Sequence, residues 1–282
     1  MTEITLGGQA VIEGVLMRTK THYAIAVRDD KGKIIVKKEP INTSSEKFKI
    51  LKLPFLRGVL ALYDTLILGF KALIYSAHIS AGEKERLSKK EMAIAIFLSV
   101  ILAVTIFIAL PFFFASLATK ENLLFNLIDG VLRLVALFGY LIIISLFKDV
   151  RRLFEYHGAE HMTIHAYEHK KELSFKKIEK YKTMHPRCGT SFLLIVVVLS
   201  VIVFSVITAD NFLVKFLSRL MLLPVIAGLS YEILKFSAKN IDSYFVKPLT
   251  FPGIWLQYIT TKRPDKKQIE VAVAALKALV KN

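Results

Sequence analysis

Cysteine and acidic residues are scarce in this sequence of 282 residues. Cys188 is its single cysteine, so no disulfide can form within the chain, which is typical of a reducing compartment. Asp and Glu number 23 against 39 Lys and Arg, which leaves a net charge of +16. The first residues lack the basic and apolar stretches of a secretory signal, so we expect no cleaved leader. No glycine-rich loop precedes a Lys-Ser/Thr pair, which excludes a P-loop nucleotide site.

Apolar residues are abundant despite the basic charge. They make up 54% of the chain, and the mean hydropathy is +0.49. A soluble domain of this composition would expose large apolar patches, whereas a membrane protein with basic cytosolic loops accommodates both features. The basic residues are spread through loops between apolar runs, so we expect the lipid bilayer and no nucleic acid as partner. The predicted fold class is an all-α polytopic membrane protein with a small N-terminal β element.

Four apolar runs are candidates to cross a bilayer, which takes about 20 residues. Residues 92–118 contain no charge at all, and 123–147, 191–208 and 212–236 follow them. The polar interruption at 148–190 holds ten Lys and Arg. Because basic loops stay on the cytosolic side, we expect this segment and both termini in the cytosol.

A helix predicted at residues 54–80 has a different character. Its polar residues are Arg57, Asp64, Lys71 and His78, each seven positions from the next. They form one polar stripe on an apolar cylinder, and charges make spanning costly. Basic loops also flank both ends of the run. We therefore predict an interfacial amphipathic helix, while spanning remains the alternative.

Charged residues also interrupt two of the four apolar runs. Asp129 and Arg133 lie four positions apart, so they can pair on one helix face. Lys215 and Arg219 lie in the outer half of the last run, against the positive-inside pattern. A buried ion pair between helices is the favoured interpretation of Asp129 and Arg133, and a role in substrate passage is the alternative.

The two ends of the chain carry smaller structural signals. Alternating residues at 23–27 and 33–36 flank a turn at 29–32, which predicts a β-hairpin. Near the other end, Asp265 and Gln268 have the spacing of a helix N-cap and its partner. The predicted segments are a cytosolic β element (1–53), an amphipathic helix and basic loop (54–90), two transmembrane helices (91–148), a cytosolic histidine-rich segment (149–190), two further transmembrane helices (191–236) and a cytosolic C-terminal segment with a terminal helix (237–282).

Histidines recur at every fourth position in the polar interruption. Four of the chain's seven histidines lie within residues 157–169. A helix turns by about 100° per residue, so a step of four returns a side chain to within about 40° of its start. Residues spaced in this way share one helix face. The set expected on that face is His157, Glu160, His161, His165 and Glu168.

This face has the chemistry of a zinc site. The order H-x-x-E-H at residues 157–161 is that of inverzincins, in which two histidines bind zinc and the glutamate is the base. We therefore expect His157 and His161 to bind a divalent transition metal, most simply Zn²⁺, and Glu160 to activate water. Solvated or packing histidines are the alternative. The open candidates for further ligands are His165, Glu168, His185 and Cys188.

Two isolated charges near the N-terminal glycines are additional site candidates. Glu13 and Arg18 lie in a stretch that contains glycines at 7, 8 and 14, which indicate tight turns or close backbone approach. For Glu13, a surface or ion-paired position is the alternative to a group that reaches the site.

Longer motifs lie in the N-terminal, histidine-rich and C-terminal parts of the chain, and they are long enough to be specific. They are GGQAV at 7–11, EGVLMR at 13–18, YHGAEH at 156–161, HPRCGTSF at 185–192, PGIWLQ at 252–257, Thr260 with Thr261, and EVA at 270–272.

Together these motifs resemble the YqhQ-like family of bacterial membrane proteins, over nearly the whole chain. The family is uncharacterised and is sometimes described as a metal-dependent enzyme. The resemblance implies a location in the bacterial cytoplasmic membrane and names no substrate. It also implies that His157, Glu160 and His161 are metal-site residues, with His185 and Cys188 as companions.

Two functions are compatible with these features. The first is a metal-dependent hydrolase whose site faces the cytosol. The second is a non-catalytic partner of a membrane assembly, such as the protein-insertion machinery, in which the metal is structural. An open water position on the metal favours the first, and closed coordination by four ligands favours the second. The oligomeric state is left open.

Overall fold

The computed structural model of the protein describes residues 6–41, 56–82, 88–206, 211–240, 243–244 and 247–280. The fold is mostly helical, with a small N-terminal antiparallel sheet and four helices that are long and apolar enough to cross a membrane. The predicted fold class is therefore confirmed. The predicted start of the helix at residues 54–55 and the predicted end of the apolar run at residues 207–208 lie outside the described residues.

The sheet contains four strands in the order β1-β2-β3-β4, and all neighbours are antiparallel. The predicted hairpin is confirmed as the β3–β4 pair. Its turn is closed by the Asp29 carboxylate, which accepts hydrogen bonds from the backbone N–H of Lys31 (3.1 Å) and Lys33 (2.7 Å). Gly32 has a φ of +82°, which glycine adopts without steric cost. The strands are β1 (Gly7–Val11), β2 (Gly14–Arg18), β3 (His22–Arg28) and β4 (Ile34–Pro40).

Helices make up most of the remaining described chain. A π-helical turn, Thr105–Ala109, joins α2 to α3, and Pro111 is the second residue of α3. Proline has no N–H for the preceding turn, so the local hydrogen-bond pattern changes there. The helices are α1 (Leu56–Ser80), α2 (Lys89–Val104), α3 (Leu110–Ala118), α4 (Asn122–Ser145), α5 (Lys148–Glu168), α6 (Phe175–Ile178), α7 (Thr190–Ser205), α8 (Phe212–Lys239), α9 (Lys247–Thr260) and α10 (Lys266–Val280).

The membrane candidates differ from the predicted runs in one respect. Those with sufficient length and apolarity are Leu56–Ser80, Lys90–Ala118, Asn122–Ser145 and Phe212–Lys239. Thr190–Ser205 is shorter, and its 16 residues extend for about 24 Å, less than a bilayer core of about 30 Å. Helix α1, which we predict to be interfacial, thus meets the criteria that α7 misses.

Helix α1 contacts both α8 and the sheet. At its start, the Arg57 guanidinium donates two hydrogen bonds to the Glu232 carboxylate on α8, at 2.8 and 2.6 Å. Further along, Ala72 is fully buried against the sheet, and Ser76 Oγ accepts a hydrogen bond from the N–H of Ile12 at 3.2 Å. The ion pair with Glu232 lowers the free-energy cost of placing Arg57 in a membrane, because the two charges compensate each other. The sheet also covers part of α1, so a purely lipid-facing α1 is excluded.

The two faces of the sheet pack against different helices. Residues alternate between faces along a strand, so Val15 and Met17 of β2 join the apolar core formed with α5 and α10. Leu16, between them in sequence, faces Ala72 of α1 on the other side. The sheet therefore separates α1 from α5, the helix that carries the histidine stripe.

The start of α10 confirms the predicted cap. Asp265 Oδ1 accepts the backbone N–H of Gln268 at 2.7 Å, and Gln268 Oε1 accepts the N–H of Asp265 at 2.8 Å. The Gln268 side chain also donates to Glu155 of α5 at 2.8 Å, so the cap ties α10 to the histidine helix. Apolar packing of α10 against the sheet and α5 buries residues such as Ile269 and Leu276.

We expect Asp265→Ala to lower the free energy of unfolding by about 1 kcal/mol, because it removes the acceptor for an otherwise unpaired helix N–H. Thermal melts of the purified protein should show a midpoint lower by about 2–4 °C. Asp265→Ser keeps a capping oxygen and should stay within a few tenths of a kcal/mol of wild type. Equal losses in the two variants would contradict the capping role.

Candidate metal centre

Helix α5 carries the histidine stripe, and part of the stripe lies in the protein interior. The sequence predicts that this part of the protein faces the cytosol. One side of α5 is apolar and packs on the sheet and α10, through residues such as Tyr156, Ala159 and Met162. The histidine side lies against the loop before α7, at Thr183, and against the end of α9, at Thr260. Glu160 and His161 are buried between these layers, at 4% and 2% exposure. The stripe is therefore buried at Glu160 and His161, half-buried at His157 and His165, and exposed at His169.

His157 and His161 have the same kind of support. Their rings lie 4.4 Å apart between centroids. Nδ1 of His157 lies 2.8 Å from the carbonyl oxygen of Thr260, and Nδ1 of His161 lies 2.5 Å from that of Thr183. A carbonyl only accepts, so Nδ1 is the donor in each ring, and in the neutral ring Nε2 is the nitrogen with a lone pair. Metal-bound histidines are oriented in this way by backbone carbonyls.

Cys188 completes a compact set of three donors. Its Sγ lies 3.3 Å from Nε2 of His157, and one donor atom from each of His157, His161 and Cys188 lies within 4.8 Å of the other two. Burial raises the pKa of the Cys188 thiol, although hydrogen bonds with Thr190 oppose this shift. The isolated thiol is therefore neutral near pH 7, and only a nearby cation would convert it to the thiolate that binds metal.

Glu160 is not one of these three grouped donors, and its carboxyl group lies against strand β1 of the sheet. Burial raises its pKa to about 8, while a positive charge on His157 would oppose this shift. Its Oε1 lies only 2.8 Å from the point that a Cβ on Gly8 would occupy, so strand β1 passes over the carboxyl group because Gly8 has no side chain. A carboxyl group with a pKa near the working pH is suited to proton transfer.

A second group of donors lies further along α5. Donor atoms of His165, Glu168 and His185 also lie within 4.8 Å of one another. The carboxylate of Glu168 forms an ion pair with Arg187, whose backbone N–H donates to Nδ1 of His185 at 3.2 Å. His185 therefore carries its proton on Nε2, which faces Glu168 at 3.4 Å. These groups satisfy one another through hydrogen bonds and charge, so they have less need of a metal.

Burial also sets the charge state of this second group. It lowers the pKa of His185 to about 4, and it lowers that of His165 despite the carbonyl of Met184, which accepts a hydrogen bond from His165 Nε2 at 3.0 Å. Both rings are therefore neutral near pH 7. A neutral imidazole can either bind a metal or take part in hydrogen bonds as donor and acceptor.

Residues of the C-terminal motifs, to which the sequence assigns no role, hold the site together. Gln257 of α9 accepts the N–H of His185 at 2.8 Å and donates to its carbonyl at 3.0 Å. Thr261 Oγ1 bonds to Thr183 Oγ1 at 3.1 Å, beside the carbonyl that holds His161. Polar residues three or four apart share a helix face. Gln257, Thr260 and Thr261 have this spacing within an apolar stretch, which is the feature of the sequence that indicates a shared polar helix face.

The remaining site candidates lie outside both donor groups. Glu13 has a φ of +51° and forms an ion pair with Arg152 of α5, and it accepts a hydrogen bond from Tyr156 at 3.2 Å. The ion-paired alternative for Glu13 is thus observed. Arg18 lies toward α1, where it donates to Thr65 at 3.4 Å, so the structure separates it from the histidines.

Comparison with known proteins gives the following matches. A protein-family model described as "Protein of unknown function (DUF1385)" matches residues 53–282. The chain is 32% identical over 293 residues to "Uncharacterized protein YqhQ" of Bacillus subtilis (strain 168), an alignment that covers 98% of this chain and 92% of that protein. No solved structure matches the chain.

Proposed function

This chain belongs to the DUF1385 family, as its motifs predict, and we propose that it is a membrane-bound metalloenzyme of the hydrolase class. His157, His161 and Cys188 are the proposed ligands of a divalent transition metal, with Zn²⁺ as the expected ion. Glu160 is the proposed base. The single observation that carries the proposal is the orientation of the two imidazoles by backbone carbonyls, with both Nε2 atoms left for a cation next to Cys188 Sγ.

The donor types support this assignment over the second donor group. Imidazole and thiolate are both ligands of catalytic zinc, which keeps three protein ligands and one open position. When bound, such an ion supplies Lewis acidity and lowers the pKa of water to about 7. Glu160 would accept the proton as a carboxylate, the form that a bound cation favours against the effect of burial on its pKa.

A structural metal is the competing function for the same residues. Glu160 lies outside the three donors that are within 4.8 Å of one another, so its side chain would have to move toward them to act as a fourth ligand. Coordination by Glu160 would close the site, and the protein would then fit a non-catalytic partner of a membrane assembly. The coordination number of the bound metal therefore separates the two functions.

The proposed location is the bacterial cytoplasmic membrane, with the metal centre and both termini in the cytosol. The support is the ten Lys and Arg of residues 148–190, which contain α5, between apolar segments. The four apolar helices support a membrane protein of this kind.

We expect purified wild-type protein to contain about one zinc per chain and the His161→Ala variant to contain at least about tenfold less at the same free zinc concentration, because one of three ligands is lost. Elemental analysis after dialysis against a zinc buffer measures this ratio. His169→Ala is the matched control. His169 lies at the end of α5, is exposed, and bonds through Nδ1 to the carbonyl of His165 in its own helix.

Cobalt substitution tests the ligand set and the open position. The Co²⁺ protein should show a thiolate-to-cobalt charge-transfer band that disappears in Cys188→Ser, while Glu160→Gln should retain the band. Retention of full zinc by His161→Ala, together with an unchanged cobalt spectrum in Cys188→Ser, would refute this metal site. Metal loss in Glu160→Gln would instead identify Glu160 as a ligand and favour the structural function.

A further inference from the structure

Strand β1 forms one edge of the sheet, and its backbone groups alternate in direction along that edge. On its inner side β1 pairs with β2, and a two-residue turn places Val11 opposite Gly14. The pair that closes a two-residue turn is hydrogen-bonded, and such pairs alternate with non-bonded ones along an antiparallel ladder. The N–H and C=O groups of Gly8 and Ala10 therefore point away from β2, toward the outside of the sheet.

These outward groups are accessible. Gly8 is exposed and Ala10 is half-buried. Apart from the pairing with β2, no hydrogen bond joins the backbone of either residue to the described part of the chain. The next outward N–H along the strand, at Ile12, donates to Ser76 of α1 at 3.2 Å. Helix α1 thus closes this edge at Ile12, and within the described residues the edge is open at Gly8 and Ala10.

The two edge strands differ in the residues that protect a sheet against further pairing. Strand β4, at the opposite edge, contains Lys37, Lys38 and Glu39 and ends at Pro40. Proteins use charged residues and proline on an edge strand to prevent another strand from adding to it. Strand β1 has the sequence GGQAV, which contains neither. The sequence therefore protects the β4 edge and leaves the β1 edge able to pair.

The open edge lies beside the proposed base. Oε1 of Glu160 is 2.8 Å from the point that a Cβ on Gly8 would occupy. On α5, Ala159 packs into the core beneath the sheet, and Glu160 is turned from it by about 100°. His157 and His161 lie about 60° and 100° further round the helix. Glu160 therefore lies between the sheet and the histidines, and a strand added about 4.8 Å beyond β1 would run close to its carboxyl group.

We propose that β1 binds an extended segment of polypeptide through backbone hydrogen bonds at Gly8 and Ala10, so that the substrate class of this site is a peptide. An extended polypeptide supplies N–H and C=O groups at the spacing of a strand, which matches the two outward residues. Strand addition takes its affinity from these main-chain bonds. Cleavage of the peptide rests on the proposed function, whereas binding at the edge needs no metal.

A peptide bound in this way brings one of its peptide bonds next to Glu160. As a carboxylate, Glu160 takes a proton from water while the water oxygen adds to the peptide carbonyl carbon. It then returns that proton to the peptide nitrogen as the C–N bond breaks. The products are a carboxylic acid and an amine, and water is the only other reactant. The hydrolase proposed above is in that case a peptidase.

Hydrogen–deuterium exchange of the full-length protein in detergent, prepared without metal, tests binding at the edge. The probe is casein, a mixture of polypeptides without stable folds. At saturating casein, we expect the amides of Gly8 and Ala10 to exchange at least about tenfold more slowly, because both become hydrogen-bonded. The fragment that contains β4 should exchange as it does without casein.

Proline substitutions at the two edges test the direction of the hydrogen bonds. Ala10→Pro removes an outward N–H and keeps the bonds to β2, so it should weaken casein binding by about fivefold, the net effect of one hydrogen bond. Val36→Pro is the matched control. Val36 lies four residues before Pro40, which has no N–H to donate to β3, so the N–H of Val36 also points outward. Val36→Pro should bind casein as wild type does, and melting curves of both variants establish that they fold.

The outcomes separate this proposal from the proposed metal centre. The peptide proposal is overturned if Gly8 and Ala10 exchange slowly without casein, if casein leaves their exchange unchanged, or if the two proline variants bind casein equally. Protein that contains zinc but fails these tests would refute the peptide substrate alone. Protein that binds casein at β1 but contains no zinc would refute the metal centre alone. With zinc bound, wild type should cleave casein, and Glu160→Gln should bind casein without cleaving it.

Discussion

Replacing Asp129 by alanine is expected to lower the free energy of unfolding by about 3–5 kcal/mol, the cost of leaving a buried charge without its partner. Asp129 forms ion pairs with the guanidinium groups of Arg133 and Arg219, and all three side chains are buried between the apolar helices. Without this carboxylate, two arginines inside the helix bundle lose their counter-charge. The loss exceeds the small contribution of an exposed ion pair, because bulk water cannot replace the missing partner at this depth.

Chemical or thermal unfolding of the purified protein in one detergent would measure the effect. Asp149→Ala is the matched control, since Asp149 is an exposed aspartate in the first turn of α5 and should cost about 0.3–1 kcal/mol. Adding Arg133→Leu to Asp129→Ala should recover part of the lost stability, because one unpaired cation is then removed. Equal stability of Asp129→Ala and Asp149→Ala would show that Asp129 is not the counter-charge that the structure indicates.

Gly158→Ala is expected to destabilise the protein by about 1–3 kcal/mol and to remove most of the bound metal, because the added methyl group overpacks a tight contact. A Cβ at this position would collide with the carbonyl oxygen of Lys262 and would lie 3.2 Å from a methyl group of Thr183. Relief of the collision moves α5 away from the segments that hold His157 and His161. Helix propensity alone predicts the opposite sign, a gain of about 1 kcal/mol.

Gly139→Ala is the control for Gly158→Ala. Gly139 lies inside helix α4 with no atom within 4 Å of an added Cβ. That variant should be as stable as wild type or more stable, with unchanged metal content, because it gains only helix propensity. Melting curves and elemental analysis of the two variants side by side would test the argument. A Gly158→Ala protein that is stabilised and keeps its metal would contradict the close packing described for α5.

Gly158 also shows where sequence reasoning reaches its limit. Glycine has a low helix propensity, so the sequence predicts that Gly158 weakens the helix in which it lies. In the structure, Gly158 lies within the continuous helix Lys148–Glu168, and the backbone near Lys262 approaches it closely. Residues 158 and 262 are distant in the chain, so no local pattern contains their contact. The same holds for Gly8, which allows β1 to pass over Glu160.

The sequence does not predict helix α9, because its stability also depends on contacts between distant segments. Pro252 and Gly253 lie inside Lys247–Thr260, and both residue types lower the expectation of a helix. Gly253 lies against Ser191 of α7 so closely that a Cβ would collide with the serine side chain. Tertiary packing outweighs weak local propensity in such a case. It also brings Gln257 and Thr260 to the candidate metal centre, which their sequence positions do not indicate.

The sequence by itself determined the features that depend on near neighbours: the hairpin at Asp29, the long apolar helices, the pairing of Asp129 with Arg133, the cap at Asp265 and the histidine face of α5. Each of these depends on the helical or strand period, or on turn chemistry, over a few residues. Only the tertiary structure decided that Cys188 joins His157 and His161, that His185 pairs with Glu168, and that Arg18 lies elsewhere. Those outcomes follow from the packing of distant segments around α5, which a periodic pattern does not encode.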